Sequence, residues 1–242
     1  MSVLLVTGTG TDVGKTVATA AIAGLAAAER GRRIAVVKPA QTGVEPGAPG
    51  DLAEVTRLAG VTDVHEFARY PDPLSPHHAA MVSGLPALDF AATAQRIDDL
   101  DAEYDTVLVE GAGGLLVPFD SDRAWTMIDL AHHLNAPLVV VTAPGLGTLN
   151  HTALTVERIA EESLELAGIV VGSWPAQPDL AMELNLYDLR AMSPRRELGG
   201  VLPAGLGAVR NGREFRTRAR AALAPRFGGT LDWRAFRETL HV

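Results

Sequence analysis

The segment that most constrains this chain is Gly8-Thr9-Gly10-Thr11-Asp12-Val13-Gly14-Lys15-Thr16. It falls between a short apolar run, Val3–Thr7, and an Ala-rich stretch, Thr16–Arg30. A strand that ends in glycines and opens into a helix through Lys-Thr makes an anion cradle. Backbone N–H groups point at the ligand, and the helix N-terminus adds partial positive charge. In that arrangement Lys15 reaches the β- and γ-phosphates of a nucleotide and the Thr16 hydroxyl binds Mg²⁺. Gly8 and Gly14 are separated by five residues rather than the usual four, and Thr9 stands where a glycine is expected. A dinucleotide reading of Gly8-x-Gly10 fails further along. It needs an acidic residue at the end of the second strand to hold a ribose. That strand ends in Lys38-Pro39.

The remaining pattern alternates strand and helix. Strands are expected at Arg33–Pro39, Thr106–Val109, Pro137–Thr142, Ala167–Val171 and Gly200–Leu202. Helices are expected at Asp51–Ala59, Leu88–Asp101, Ile128–Leu134, Thr148–Glu162 and Asp179–Arg190. Continuous apolar strands between helices imply a parallel sheet covered on both faces. The expectation is therefore one α/β domain over residues 1–242, P-loop NTPase-like, with a parallel sheet of about six or seven strands. In such sheets ligands sit at the carboxyl ends of the strands. Gly8–Thr16, Lys38–Thr42, Glu110–Gly114, Ala143–Asn150 and Gly172-Ser173 all follow strands and are expected to form one site.

Composition removes several function classes. The absence of cysteine excludes disulfides, thiolate metal sites and a Cys-dependent amidotransferase module. A net charge of −8 argues against a general nucleic-acid binder. Residues 190–242 are nevertheless locally basic, with 11 basic and 4 acidic side chains. The Arg-rich stretch Arg210 to Arg220 reads as a solvated helix face. The start Met1-Ser2-Val3-Leu4-Leu5-Val6 has no basic region of an export signal. Val17 to Ala28 is far short of the roughly 20 apolar residues a membrane span needs. A cytoplasmic protein with no membrane partner is expected. Adjacent His77-His78 and His132-His133 point apart on a helix and complete no zinc spacing. His77 is placed in a loop near the substrate.

Lysine usage is the sharpest compositional signal. Of 21 basic residues only Lys15 and Lys38 are lysines. An Arg-biased chain keeps lysine where a compact point charge fits and a planar fork does not.

In order and spacing, Gly8–Thr16, Lys38-Pro39-Ala40-Gln41-Thr42-Gly43, Asp51-Leu52, Ser75-Pro76-His77, Glu110-Gly111-Ala112-Gly113-Gly114 and Gly147-Thr148-Leu149-Asn150-His151 resemble the dethiobiotin synthetase family. The resemblance spans almost the whole chain. It implies a Mg²⁺-dependent ligase that joins 7,8-diaminononanoate and CO₂ or bicarbonate, driven by ATP or another nucleoside triphosphate, and works as a homodimer. Lys38 and Lys15 would be catalytic, with Thr42 bonding the carbamate. Thr16, Asp51 and Glu110 would hold Mg²⁺, a hard cation that prefers oxygen. Nucleotide binding would fall to Asp12, Val13, Gly14, Lys15, Thr16, Val17, Asp51, Glu110, Gly111, Ala112 and Gly113. Gly147, Thr148, Leu149 and Asn150 would receive the substrate carboxylate, from the substrate held by the partner subunit. Asp51 has an alternative as the N-cap of its helix.

At the base end the chain departs from the family. Gly172-Ser173 replaces the Asn-Asp pair of better-known members, so the base would be read by backbone groups of Gly172, Ser173, Leu202, Pro203 and Ala204. A second reading is a partition-type P-loop ATPase switch. Those proteins carry a signature lysine five residues before the loop lysine, where this chain has Gly10.

Overall fold

The computed structural model describes residues 3–29 and 31–241. The readings that touched Met1, Ser2 and Arg30 lie outside the described residues. Seven strands form one sheet: β1 (Val3–Gly8), β2 (Ile34–Thr42), β3 (Val64–Tyr70), β4 (Thr106–Glu110), β5 (Leu138–Thr142), β6 (Leu166–Trp174) and β7 (Gly200–Pro203). Their order is β3-β2-β4-β1-β5-β6-β7, and every adjacent pair is parallel. The chain passes outward from β1 to β2 and β3, then returns with β4 between β2 and β1. It next leaves for β5 on the far side of β1. That reversal opens a crevice beyond the carboxyl ends of β1, β2 and β4, where open α/β sheets hold ligands.

Alternation along each strand divides the core into two layers. Val6, Val36, Leu108 and Val141 face α1 (Lys15–Ala26), α2 (Asp51–Ala59) and α8 (Gly212–Ala222). Leu5, Val37, Val109 and Val140 face α3 (Pro76–Ser83), α4 (Phe90–Glu103) and α5 (Met127–Leu134). A third cluster joins Ile169 and Val171 of β6 to Leu186 and Leu189 of α7 (Leu180–Met192), with Trp233 and Phe236 of α9 (Trp233–Arg237) packed on it. α6 (Thr148–Glu161) connects β5 to β6. The basic tail behaves as its sequence implied. Phe215, Ala219 and Ala222 of α8 are buried, while its arginines line the outside, and Arg216 donates to the Ala59 carbonyl at 3.1 Å.

Several elements differ from the sequence expectation. β6 runs on to Trp174, so Gly172-Ser173 lies inside the strand rather than after it, and α9 was not expected. β3 is an edge strand of mixed composition, half-buried along most of its length, and carries no continuous apolar run. α3 has only eight residues, too few for a periodic signal, and it places His77 on a helix rather than a loop. β2 runs on to Thr42 instead of stopping at Pro39. Pairing with β4 ends at Val37 while pairing with β3 continues to Thr42. Beyond Val37 one side of β2 has no strand neighbour, which is where a strand tolerates proline.

The long connection from β4 to α5 is anchored by Trp125. Its ring is fully buried, stacks on Phe119 at 4.3 Å, and donates from Nε1 to the Leu88 carbonyl at 2.9 Å. Trp125→Ala is expected to destabilise the fold by about 3–5 kcal/mol, the range for emptying a large aromatic from a core. Denaturant unfolding measures it, and a loss under 1 kcal/mol would show that the loop is held elsewhere.

Candidate active site at the strand ends

The phosphate loop is shaped by two left-handed residues, Asp12 at φ 58° and Gly14 at φ 94°. Gly14 is the N-cap of α1 and provides no side-chain cap. The first N–H groups of α1 therefore remain free to bind an anion. Lys15 Nζ folds back onto the Gly10 carbonyl at 2.7 Å. Burial lowers the Lys15 pKa first, and the nearby Lys38 charge lowers it further, against the opposing pull of Glu110, Asp51 and Asp12.

Next to the loop the second lysine forms a three-charge cluster. Lys38 Nζ lies 2.6 Å from Asp51 Oδ2 and 2.8 Å from Glu110 Oε1, and donates to the Gly111 carbonyl at 3.2 Å. Burial alone would pull the ammonium down, but the two carboxylates reverse this and hold it above the ordinary lysine value. Glu110 is fully buried at the end of β4. Its Oε1 also accepts from the Thr16 hydroxyl at 2.9 Å, while its Oε2 has no partner. An unpartnered buried carboxylate oxygen is expensive to keep unless something binds it.

Asp51 is the first residue of α2, and Gly50 is the N-cap. The alternative that made Asp51 a cap is therefore incorrect. Its carboxylate turns to Lys38 instead. Gln41, to which the sequence reading gave no role, positions it: Gln41 Oε1 accepts the Asp51 N–H at 2.8 Å. No sequence signal announces this contact, because it joins a strand end to a helix start ten residues on.

These groups border a cavity of about 790 Å³. Thr11, Asp12, Gly14, Lys15, Thr16 and Val17 line it, with Lys38, Thr42, Asp51, Glu110, Ala112 and Gly113. Ser75 and Pro76 of the Ser75-Pro76-His77 motif also line it, and Pro73, Leu74 and Val117 add walls that the sequence did not identify. The volume suits a small organic substrate beside a triphosphate.

The other expected residues lie outside the lining of that cavity. Gly147, at φ 89°, caps α6, and the Thr148 N–H is engaged by the Gly145 carbonyl at 3.2 Å. Leu202 is buried in the core, and the Ala204 N–H donates to the Trp174 carbonyl at 2.6 Å. Gly172 is pressed against the phosphate loop. A Cβ built there would stand 1.9 Å from the Val13 carbonyl oxygen, and one on Gly14 would stand 2.8 Å from the Gly172 carbonyl oxygen.

The histidines correct one expectation. The His77 and His78 rings lie together at 3.8 Å rather than apart. His77 Nδ1 lies 3.2 Å from the Pro118 carbonyl oxygen. His132 and His133 do diverge, toward Glu162 and Asp98. Among the described residues no three His, Cys, Asp or Glu side chains could hold a metal by themselves. None of the described helices is long and apolar enough to cross a membrane.

Known proteins resemble the chain closely. The profile of a family described as an AAA domain matches residues 2–205. The ATP-dependent dethiobiotin synthetase BioD of Frankia casuarinae is 57% identical over 98% of both chains. That of a Parafrankia species is 55% identical over the whole of both. That of Rhodococcus jostii is 58% identical over 86% of this chain and 89% of its own. Among solved structures, the MinC:MinD cell division protein complex of Aquifex aeolicus matches with a TM-score of 0.52 at 16% identity, over 90% of this chain and 86% of that one. That likeness is one of fold.

Proposed function

This chain belongs to the dethiobiotin synthetase family, and on that premise we propose that it closes the ureido ring of dethiobiotin from 7,8-diaminononanoate, CO₂ and ATP. One amine adds to CO₂, forming an N–C bond and a carbamate as its proton leaves. A carbamate oxygen attacks the γ-phosphorus, the bond to ADP breaks, and a carbamic–phosphoric anhydride results. The second amine attacks the anhydride carbon, phosphate departs, and the ring closes with loss of a second proton.

The carrying observation is that the chain's two lysines both line one cavity beside a buried carboxylate. Carbamate and triphosphate are both anionic, so they meet only where fixed cations offset their repulsion. Lys15 and the α1 N-terminus serve the triphosphate. Lys38 serves the carbamate and the oxygen that bridges to phosphorus, and Thr42 at the end of β2 donates to the carbamate. Lys38 is already oriented by Glu110 and Asp51, so little reorganisation is needed when charge develops.

The donor set suits Mg²⁺. Thr16 Oγ1, the unpartnered Glu110 Oε2 and the Asp51 carboxylate offer hard oxygen, and two carboxylates with phosphates and water are what this cation accepts. When bound, Mg²⁺ neutralises charge on the transferring phosphoryl group. Glu110→Gln is expected to raise the Mg²⁺ concentration needed for half-maximal turnover by roughly tenfold or more, with little change in diamine binding. A Mg²⁺ titration checks this, and an unchanged midpoint removes Glu110 from the metal.

At the base end, backbone groups of Ser173 and Pro203 and the Ala204 carbonyl are offered to the nucleoside, while Gly172 is taken up by the phosphate loop, Leu202 by the core and the Ala204 N–H by the Trp174 carbonyl. The Gly147–Asn150 segment receives the substrate carboxylate from the site of the partner copy in a homodimer, using the Leu149 N–H at the start of α6 and the Asn150 side-chain amide, while the Thr148 N–H stays on the Gly145 carbonyl. The reaction joins small soluble molecules and fits the cytoplasm.

A turnover assay with the diamine, bicarbonate and ATP tests the proposal. Phosphate release should depend on the diamine. Release independent of it would favour an ATPase switch, against which Gly10 also stands.

A further inference from the structure

We infer that Thr142 is a positioning residue that fixes the phosphate loop and the carboxylate-binding start of α6 to one another through a cluster of threonine hydroxyls. Thr142 is the last residue of β5 and is fully buried. Its Oγ1 lies 3.2 Å from Thr9 Oγ1, 2.7 Å from Thr148 Oγ1 and 2.9 Å from Thr152 Oγ1. Thr148 and Thr152 are themselves buried on α6 and lie 3.5 Å apart. A hydroxyl has one proton to donate and two lone pairs. Three partners therefore saturate Thr142, which makes it the hub of the cluster.

Each arm ends in a functional segment. Thr9 belongs to the phosphate loop, and its N–H also donates to the Val141 carbonyl at 3.0 Å, so backbone and side chain both bind this loop to β5. Thr148 opens α6 directly after the left-handed Gly147. The turn before it is held from the other side by buried Asn185 of α7, which donates from Nδ2 to the Pro144 carbonyl at 2.9 Å and the Gly145 carbonyl at 3.3 Å. The α6 N-terminus is thus clamped between Thr142 beneath and Asn185 above.

The proposal rests on the reading that this N-terminus holds the substrate carboxylate. No member of the cluster takes part in the chemistry. Loosening it removes binding that ground state and transition state share, which raises KM more than it lowers kcat.

The test is steady-state kinetics on Thr142→Val, which keeps the shape and removes the hydroxyl. KM for ATP and KM for the diamine should both rise, each by about tenfold or more, while kcat changes less. Thr142→Ser should restore both. Thr152→Val should raise the diamine KM alone, and Thr9→Val the ATP KM alone. These two also stand in if Thr142→Val folds poorly. Thr19→Val, at a buried hydroxyl without a partner on α1, should leave all constants unchanged. A Thr142→Val protein with lower thermal stability but wild-type KM values would overturn the proposal, because the cluster would then only support the fold. Asn150→Ala separates the two readings. If it raises the diamine KM while Thr142→Val is silent, the hub alone fails. If Asn150→Ala leaves that KM unchanged, the carboxylate is bound elsewhere and the proposal falls with its premise.

Discussion

Replacing Lys38 by alanine is expected to lower kcat by roughly 10²–10³-fold, the scale seen when one preorganised donor to a developing charge is removed, and to weaken the fold as well. The second effect follows from Glu110. It is fully buried, and Lys38 is its ion-pair partner at 2.8 Å. Stripping one member from a buried pair costs about 3–5 kcal/mol, because the other charge is left uncompensated. Two variants separate the effects. Lys38→Met with Glu110→Gln removes both charges, so stability should largely return while turnover does not. Lys38→Arg keeps the charge but brings a wide planar head into a space set by three oxygens 2.6 to 3.2 Å from one nitrogen. It should retain stability better than alanine and still lose most of its turnover. Near wild-type turnover of Lys38→Arg would refute the point-charge argument.

The pH dependence of the pair has a definite sign. The Lys38 pKa is raised in the folded protein. Its stabilising contribution is therefore fully present below the ordinary lysine value and disappears only as pH rises through the raised one. Across neutral pH the Lys38 ammonium stays protonated.

Gly172→Ala is expected to be disruptive out of proportion to one added methyl. The new Cβ would stand 1.9 Å from the Val13 carbonyl oxygen and 2.9 Å from a Val141 methyl. Neither can yield cheaply, since one is backbone and the other is packed in the core. The phosphate loop must lift from the end of β6. Overpacking of this kind costs about 1–3 kcal/mol. The ATP KM should rise with it, because the displaced segment includes Val13 and Gly14 at the mouth of α1. Gly172→Asn, which would give this position the side chain of better-known family members, should fail in the same way rather than gain a base contact. Thermal denaturation and ATP titration of both variants check this. An alanine variant with unchanged stability and ATP KM would mean that loop and strand are less closely packed than here.

This contact marks the limit of what the sequence disclosed. The phosphate loop, Lys38 and Glu110 were legible because each is a chemically distinctive element at the end of an apolar run, and a parallel sheet brings such ends together. Gly172 was legible as a glycine, but its reason was not. It looked like a missing base reader, whereas it admits the carbonyl of a residue 159 positions earlier. Gln41 and Thr142 went unnoticed for the same reason: their partners come from other strands and helices. β3 escaped because an edge strand needs no continuous apolar run. Asp51 was half-read, since a carboxylate at a helix start fits a cap, and only the placement of Gly50 and Lys38 decides against it.

The concentration of lysine in the site also bears on how this protein meets electrophiles. Every other lysine-or-arginine position is a guanidinium, which stays protonated and is a poor nucleophile. An acylating reagent therefore finds only two side-chain amines, each under 10% exposed and within one cavity. They differ in reactivity. Lys15, with its lowered pKa, yields free amine at a pH where Lys38 is still held as an ammonium between two carboxylates. Lysine-directed modification of this protein is consequently modification within this one cavity, and on the proposed reading bound nucleotide would stand in its way.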